Sequence, residues 1–135
     1  MTVLERVQHN PLVDKTEYHE ICKQLHDEAG FDLLISLTAV DRGEALEVVV
    51  HLARSNDLQR AVVKALVDLN EPSLPSLCSL WPAANWHERE CFDLFGITFT
   101  GHPNLKRILL REDFSGHPLR KNFQAVVDSV QKGVQ

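Results

Sequence analysis

The stretch Trp81-Pro-Ala-Ala-Asn-Trp-His-Glu-Arg-Glu-Cys-Phe-Asp-Leu-Phe-Gly-Ile-Thr-Phe-Thr-Gly-His-Pro-Asn-Leu-Lys-Arg-Ile-Leu-Leu110, running on through Asp113 to Gly116-His-Pro-Leu-Arg-Lys-Asn-Phe123, decides how the chain is read. Both tryptophans and three of the six prolines fall within it. Ser79 to Phe95 reads as a helix, with Pro82 near its first turn and Gly96 closing it. Ile97-Thr-Phe-Thr100 alternates as a short strand. Everything after Gly101 reads as loop and extended arm, with at most a turn or two of helix near Leu105–Leu110 and again at Phe123–Val130.

The residues before this stretch form its scaffold. Residues 1 to 13 lack sustained periodicity and read as a lead-in. Asp14 and Glu17 have capping-box spacing. Tyr18, Ile21, Cys22, Leu25 and Ala29 then follow one helical stripe, with Gly30 at the C′ position. Phe31 to Val40 is apolar and short, as a buried strand would be. Asp41-Arg42-Gly43 supplies a turn, and Ala45 to Arg54 is a second strand, so the two make an antiparallel hairpin. Residues 58 to 69 fit two periods. Leu58, Ala61, Val62, Ala65, Leu66 and Leu69 make a helical stripe, while Arg60 to Asp68 also alternates as a strand. Asn70 to Pro75 is a proline-stiffened connection. The expected architecture is α+β, a two-layer sandwich of two helices on a small mixed sheet with an extended C-terminal arm. The scaffold covers residues 1–101 and the arm 102–135.

The 135 residues suit one domain, and 44% apolar with 24% charged residues is ordinary globular composition. A net charge of −5 gives no electrostatic footprint for nucleic acid. No apolar run is long enough to span a bilayer, and Glu5, Gln8 and Asn10 interrupt any secretory h-region. Cys22, Cys78 and Cys91 form no C-x-x-C pair and are odd in number, which argues against a disulfide framework. These features describe a soluble, reduced, intracellular domain.

Four kinds of chemistry suggest themselves. His87 and Cys91 stand i, i+4 and could offer two soft metal ligands, with His102 and His117 the nearest candidates to complete a site; Cys91 facing the core is the plainer reading. Gly101-His102-Pro103 and Gly116-His117-Pro118 echo one another, either as poised imidazoles or as two sharp turns whose histidines bond to backbone. Glu88, Arg89, Glu90 and Asp93 crowd three acids and one base into two turns, interleaved with Trp86, Phe92 and Phe95. Charges set among aromatics mark a partner surface on which Arg and Trp act as anchors. Lys106, Arg107, Arg111, Arg120 and Lys121 make the arm basic within an acidic protein, suited to lying on a large protein partner. Neither a dinucleotide fingerprint nor a Walker A sequence is present, and no cysteine spacing suits an iron–sulfur cluster.

Trp81 through Leu109 strongly resembles the signature of the NADH-quinone oxidoreductase C-subunit family, the 30-kilodalton-type subunit of respiratory complex I. The family pattern runs Trp-x-x-Ala-x-Trp-x-Glu-Arg-Glu-x-(aromatic)-Asp-(Leu/Met)-(aromatic)-Gly-Ile-x-Phe-x-Gly-His-Pro-x-Leu. Its closing Gly-x-Pro-Leu-Arg-Lys-Asp-(aromatic) is similar to Gly116 through Phe123, with Asn122 in place of the usual Asp. The match is specific over residues 75 to 123 and looser over 30 to 70, and the lead-in is shorter than in many members. The resemblance favours strand over helix for residues 58 to 69. It implies a peripheral-arm subunit with no cofactor or active site of its own. FMN, iron–sulfur clusters and quinone would lie in other subunits of a proton-pumping complex. The arm would pack on the quinone-site subunit, which is related to nickel-iron hydrogenase large subunits, on the cytoplasmic side of the inner membrane. The relatives include subunits of energy-converting hydrogenases and formate hydrogenlyase. The residues expected to serve structure or interface are Trp86, Glu88, Arg89, Glu90, Asp93, Gly96, His102, Pro103, Arg107, His117 and Arg120. Of these, Trp86, Arg89 and Asp93 would hold the helix against sheet and tail, while Arg107 and Arg120 reach the partner.

Overall fold

A three-strand meander forms the centre of the structure: β2 (Leu33–Asp41), β3 (Leu46–Ala53) and β4 (Arg60–Val67), each antiparallel to the next. The computed structural model describes residues 2–105. The hairpin between β2 and β3 closes as its sequence requires. Gly43 takes φ 89° and its N–H donates to Asp41 Oδ1 at 2.8 Å. One register shift falls between Leu34 and Ser36 of β2.

Residues 60 to 67 are strand, as the family resemblance indicated. Ala61, Val63, Ala65 and Val67 are buried in alternation, while Arg60 and Leu66 face outward. The helical stripe fails because Leu58, its first member, lies 71% exposed with φ 60°. Tertiary pairing along all eight residues of β3 overrides the local period.

The N-terminal residues are not a featureless lead-in. Val3–His9 is a helix, α1, started by Thr2, whose hydroxyl accepts the Glu5 N–H at 3.1 Å. Leu12–Val13 (β1) then pairs parallel with β4, extending the main sheet to the order β1-β4-β3-β2. Both elements are too short to show a period in sequence. The second helix, α2 (Tyr18–Asp27), buries Tyr18, Ile21, Cys22 and Leu25 of the expected stripe, and ends before Ala29, its fifth member, which is half-buried. Fully burying Ile21 and Leu25 is worth roughly 1.5–3 kcal/mol each. The capping box does not form: Asp14 instead accepts the Thr16 N–H and hydroxyl at 2.9 and 2.7 Å, and Glu17 pairs with Arg6.

The proline-stiffened connection contains a strand, β5 (Ser73–Pro75), parallel to β6 (Thr98–Thr100) in a separate two-stranded sheet. Between them runs α3 (Ala84–Phe95). It starts later than the sequence suggests, because Leu77 to Ala84 winds through two turns in which Trp81 N–H donates to Leu77 O and Ala84 N–H to Trp81 O. Pro82 therefore precedes the helix. Gly96 ends it in the left-handed region at φ 79°. A Gly96→Ala substitution should cost about 1–2 kcal/mol in urea unfolding, since a Cβ is unfavourable at that φ.

Among the described residues the architecture is α+β, three helices on a small mixed sheet, with a second short sheet beside it. One apolar cluster joins them, from Val7 and Val13 through Leu25, Val50 and Val63 to Phe95 and Phe99. α3 lies against β2, an edge strand of the main sheet, and the Cys91 thiol donates to Leu37 O at 3.7 Å. Sequence expectations for the arm beyond Leu105 fall outside the described residues.

Candidate functional site

α3 turns one face inward through Ala84, Glu88, Cys91 and Phe95, spaced i, i+4, i+7 and i+11. That places a carboxylate at a core position. Glu88 is fully buried, and its oxygens are taken up by three donors from the segment before the helix. The Ser76 hydroxyl donates to Oε1 at 2.6 Å, the Leu77 N–H to Oε2 at 2.7 Å and the Cys78 thiol to Oε1 at 3.3 Å. Burial pushes the Glu88 carboxyl up from its ordinary value, while the hydrogen bonds from Leu77, Ser76 and Cys78 and the nearby His102 hold it down in part.

His102 arrives from the loop after β6, with Nε2 4.0 Å from Glu88 Oε1. Its hydrogen bonds define its tautomer. The Asn104 N–H donates to Nδ1 at 2.9 Å, so the proton sits on Nε2, which donates to Asn85 O at 3.2 Å. The backbone-bonding reading of this Gly-His-Pro turn is therefore correct, and Gly101 takes the φ of 81° that the turn needs.

Cys78, Glu88 and His102 bring ligand atoms of three kinds within 4.8 Å of one another. By type they could hold a soft divalent ion. Their lone pairs are otherwise engaged. Both Glu88 oxygens already accept, the Cys78 thiol is pushed up to about 11 chiefly by burial, and His102 presents an N–H rather than a lone pair at Nε2. The cluster is a closed hydrogen-bonded knot tying three chain segments together. The other soft pair weighed in the sequence, His87 and Cys91, joins no cluster of three ligands among the described residues. Cys91 faces the core with its thiol pushed up to about 12, chiefly by burial. Neither thiol is poised as a nucleophile near neutral pH.

The remaining site residues divide by burial. Asp93 is fully buried, as Glu88 is, so the acids of α3 do not form one outward contact surface. Glu90 and Pro103 are exposed, and Arg89 is half-buried. Trp86, expected to help hold the helix on the sheet, is 57% exposed, with the Arg89 guanidinium 4.9 Å from its ring centre. Helical geometry turns position 86 away from the face carrying Ala84, Glu88 and Cys91. The other tryptophan holds the fold: Trp81 is buried, donates from Nε1 to Phe31 O at 2.9 Å and meets His26 edge-on at 5.4 Å. Arg107, His117 and Arg120 lie outside the described residues. Ser76 and Cys78 carry no signal in the sequence, where nothing separates them from other small residues in a loop.

The family described as respiratory-chain NADH dehydrogenase, 30 Kd subunit, matches residues 12–128. The chain belongs to this family. The NADH-quinone oxidoreductase C-subunit of Moorella thermoacetica is 50% identical over 103 residues, spanning 75% of this chain and 70% of the relative. The corresponding protein of Roseiflexus sp. strain RS-1 is 50% identical over 116 residues, 82% of this chain and 67% of the relative. Among solved structures, the trypsin-resistant fragment (1-134) of Nqo5 is 30% identical with a TM-score of 0.64, covering 77% of this chain and all of that one. A chain of the membrane-bound sulfane sulfur reductase, an archaeal respiratory membrane complex, is 26% identical with a TM-score of 0.78 over 92% of this chain and 76% of that one. These relatives are subunits of multi-subunit respiratory complexes, which makes this a subunit with hetero-oligomeric partners. No helix among the described residues is long and apolar enough to cross a membrane.

Proposed function

We propose that the chain is a non-catalytic peripheral-arm subunit of a proton-pumping NADH:quinone oxidoreductase, docking on and stabilising the quinone-site subunit. The observation that carries this reading is the family match over residues 12–128, which reaches well into the basic arm. The Glu88 knot supports it, because the buried carboxylate of α3 spends both its oxygens on holding the segment before the helix. In this reading the chain binds no cofactor, and FMN, iron–sulfur clusters and quinone belong to neighbouring subunits. The chain works on the cytoplasmic side of the inner membrane, held there by its partners. Arg107 and Arg120 reach the subunit related to nickel-iron hydrogenase large subunits. Arginine suits that role because its planar fork pairs with carboxylates in two parallel bonds.

The sulfane sulfur reductase neighbour favours a second reading. It shares this scaffold over 92% of the chain with a TM-score of 0.78. The same scaffold would then serve a membrane-bound energy-converting hydrogenase or formate hydrogenlyase type of complex with another electron donor and acceptor. Affinity purification of the tagged full chain from its native organism separates the two. NADH-oxidising subunits among the co-purifying proteins support the first reading, and hydrogenase-type subunits without them support the second. Arg120→Ala should lose most of the co-purifying quinone-site subunit; undiminished recovery would count against the arm as the docking element.

A further inference from the structure

His102 holds the first turn after β6 through both nitrogens of its ring. Nδ1 accepts the Asn104 N–H at 2.9 Å and Nε2 donates to Asn85 O at 3.2 Å. The two bonds respond differently to a proton. A protonated imidazole carries N–H at both nitrogens and has no lone pair left. Asn85 O can still accept from Nε2, but the Asn104 N–H would face a second donor. Asn104 is exposed, so water can take its N–H once that bond is given up. The new charge also has a counterpart in place. Glu88 Oε1 lies 4.0 Å from Nε2, beyond hydrogen-bond distance of the neutral ring, and both side chains are shut off from water. Opposite charges at that separation attract far more strongly in an interior than in solvent.

We propose that His102 is a proton-operated latch on the turn that joins β6 to the chain beyond it. Neutral, it ties Asn104 down; protonated, it gives up Asn104 and turns its Nε2–H toward the Glu88 carboxylate. Imidazole is the side chain whose ordinary change of charge falls between about pH 5 and 8, which suits histidine to such a device. Among the described residues, Glu88 is the ring's only ion-pair partner. On α3, Asn85 is neutral and Arg89 lays its guanidinium 4.9 Å from the ring centre of Trp86. In the segment before α3, Cys78 stays a thiol, pushed up to about 11 chiefly by burial. From α2, Tyr18 stays a neutral phenol, held well above its ordinary value by burial, and His19 reaches the recess lined by Ser76 and Gly101. β5 and β6 carry no titratable side chain. Leu105, which packs against the core, follows the turn directly, so giving up Asn104 loosens the link between β6 and Leu105.

NMR on the 15N-labelled full-length chain, titrated from about pH 8 to pH 5, tests this. At the upper end His102 should show the Nε2–H tautomer and a scalar coupling between Nδ1 and the Asn104 amide nitrogen, which exists only across a formed hydrogen bond. The coupling should vanish as the ring takes up its proton. Asn104 amide exchange, corrected for its intrinsic pH dependence, should then speed up about ten-fold, the loss of one ordinary hydrogen bond. His102→Gln, which has no titrating ring, should show no such step, and His19→Gln should keep it. Glu88→Gln should hold the coupling to lower pH, because the imidazolium loses its carboxylate. A coupling that outlasts protonation of the ring overturns the latch, as does the opposite tautomer at the upper end. A ring that stays neutral until the core amides exchange with the whole fold overturns it too. So does a step that survives in His102→Gln, or release at an unchanged pH in Glu88→Gln.

Discussion

Glu88→Ala should lose roughly 3–4 kcal/mol in urea unfolding at neutral pH, because it strands the Leu77 N–H, the Ser76 hydroxyl and the Cys78 thiol in the interior. The loss arises less from the missing carboxylate than from donors left without acceptors. Glu88→Gln separates the two effects. Its amide oxygen can still take the Leu77 N–H and its NH2 can donate to Ser76 Oγ, so about 1 kcal/mol should be lost. Equal destabilisation by Ala and Gln would show that the charge, rather than acceptor capacity, is what the knot needs.

The pH dependence of the same pair has a definite sign. Burial holds the folded carboxyl above its ordinary value of 4.5. A carboxyl with a raised folded value binds its proton more tightly folded than unfolded. It therefore contributes most stability below the unfolded value and loses that contribution as pH rises through the folded one. Gln does not titrate. The stability of wild type relative to Glu88→Gln should therefore fall as pH is raised from 4.5 toward neutrality. The solvent-exposed Asp14, Asp32 and Asp57, held below their ordinary values chiefly by hydrogen bonds, are common to both proteins and cancel in the difference. A flat difference would mean that the hydrogen bonds fully offset burial.

Trp81→Ala should be the other severe substitution, at about 3–5 kcal/mol. Its indole is buried, so truncation opens a large cavity, and it also leaves Phe31 O without the Nε1–H donor at 2.9 Å. Trp81→Phe keeps much of the volume and loses the hydrogen bond, so about 1–3 kcal/mol is expected. Thermal or urea denaturation measures both. Trp86→Ala, five positions along the same signature, should stay within about 1 kcal/mol of wild type, since it forfeits only an exposed cation–π stack. A comparable loss from the two tryptophans would contradict the burial that separates them.

That contrast shows where sequence reading stops. Trp81 and Trp86 look alike in the signature, and both belong to the same charged and aromatic stretch. Which one faces inward follows from where α3 begins, and the turns between Leu77 and Ala84 delay that start past Pro82. Glu88 is legible in principle. It falls on the stripe Ala84, Glu88, Cys91, Phe95, but a charged residue on an apolar stripe is discounted when periods are counted. Its partners Ser76 and Cys78 are not legible, because small polar residues in a loop carry no period.

Local signals in the chain were enough for the hairpin of β2 and β3, the buried stripe of α2, the glycine stop after α3 and membership of the 30 Kd subunit family. Periodicity, turn chemistry and a dense signature each lie within a short window of residues. Packing between distant segments settled the rest. Residues 60 to 67 pair as a strand although they fit a helix, and Leu12–Val13 joins the same sheet in parallel. The same packing turned Glu88 into a core acceptor and left Trp86 in solvent. In each of these cases the deciding partner lies outside the element itself, so the free energy that selects the conformation is absent from any local window.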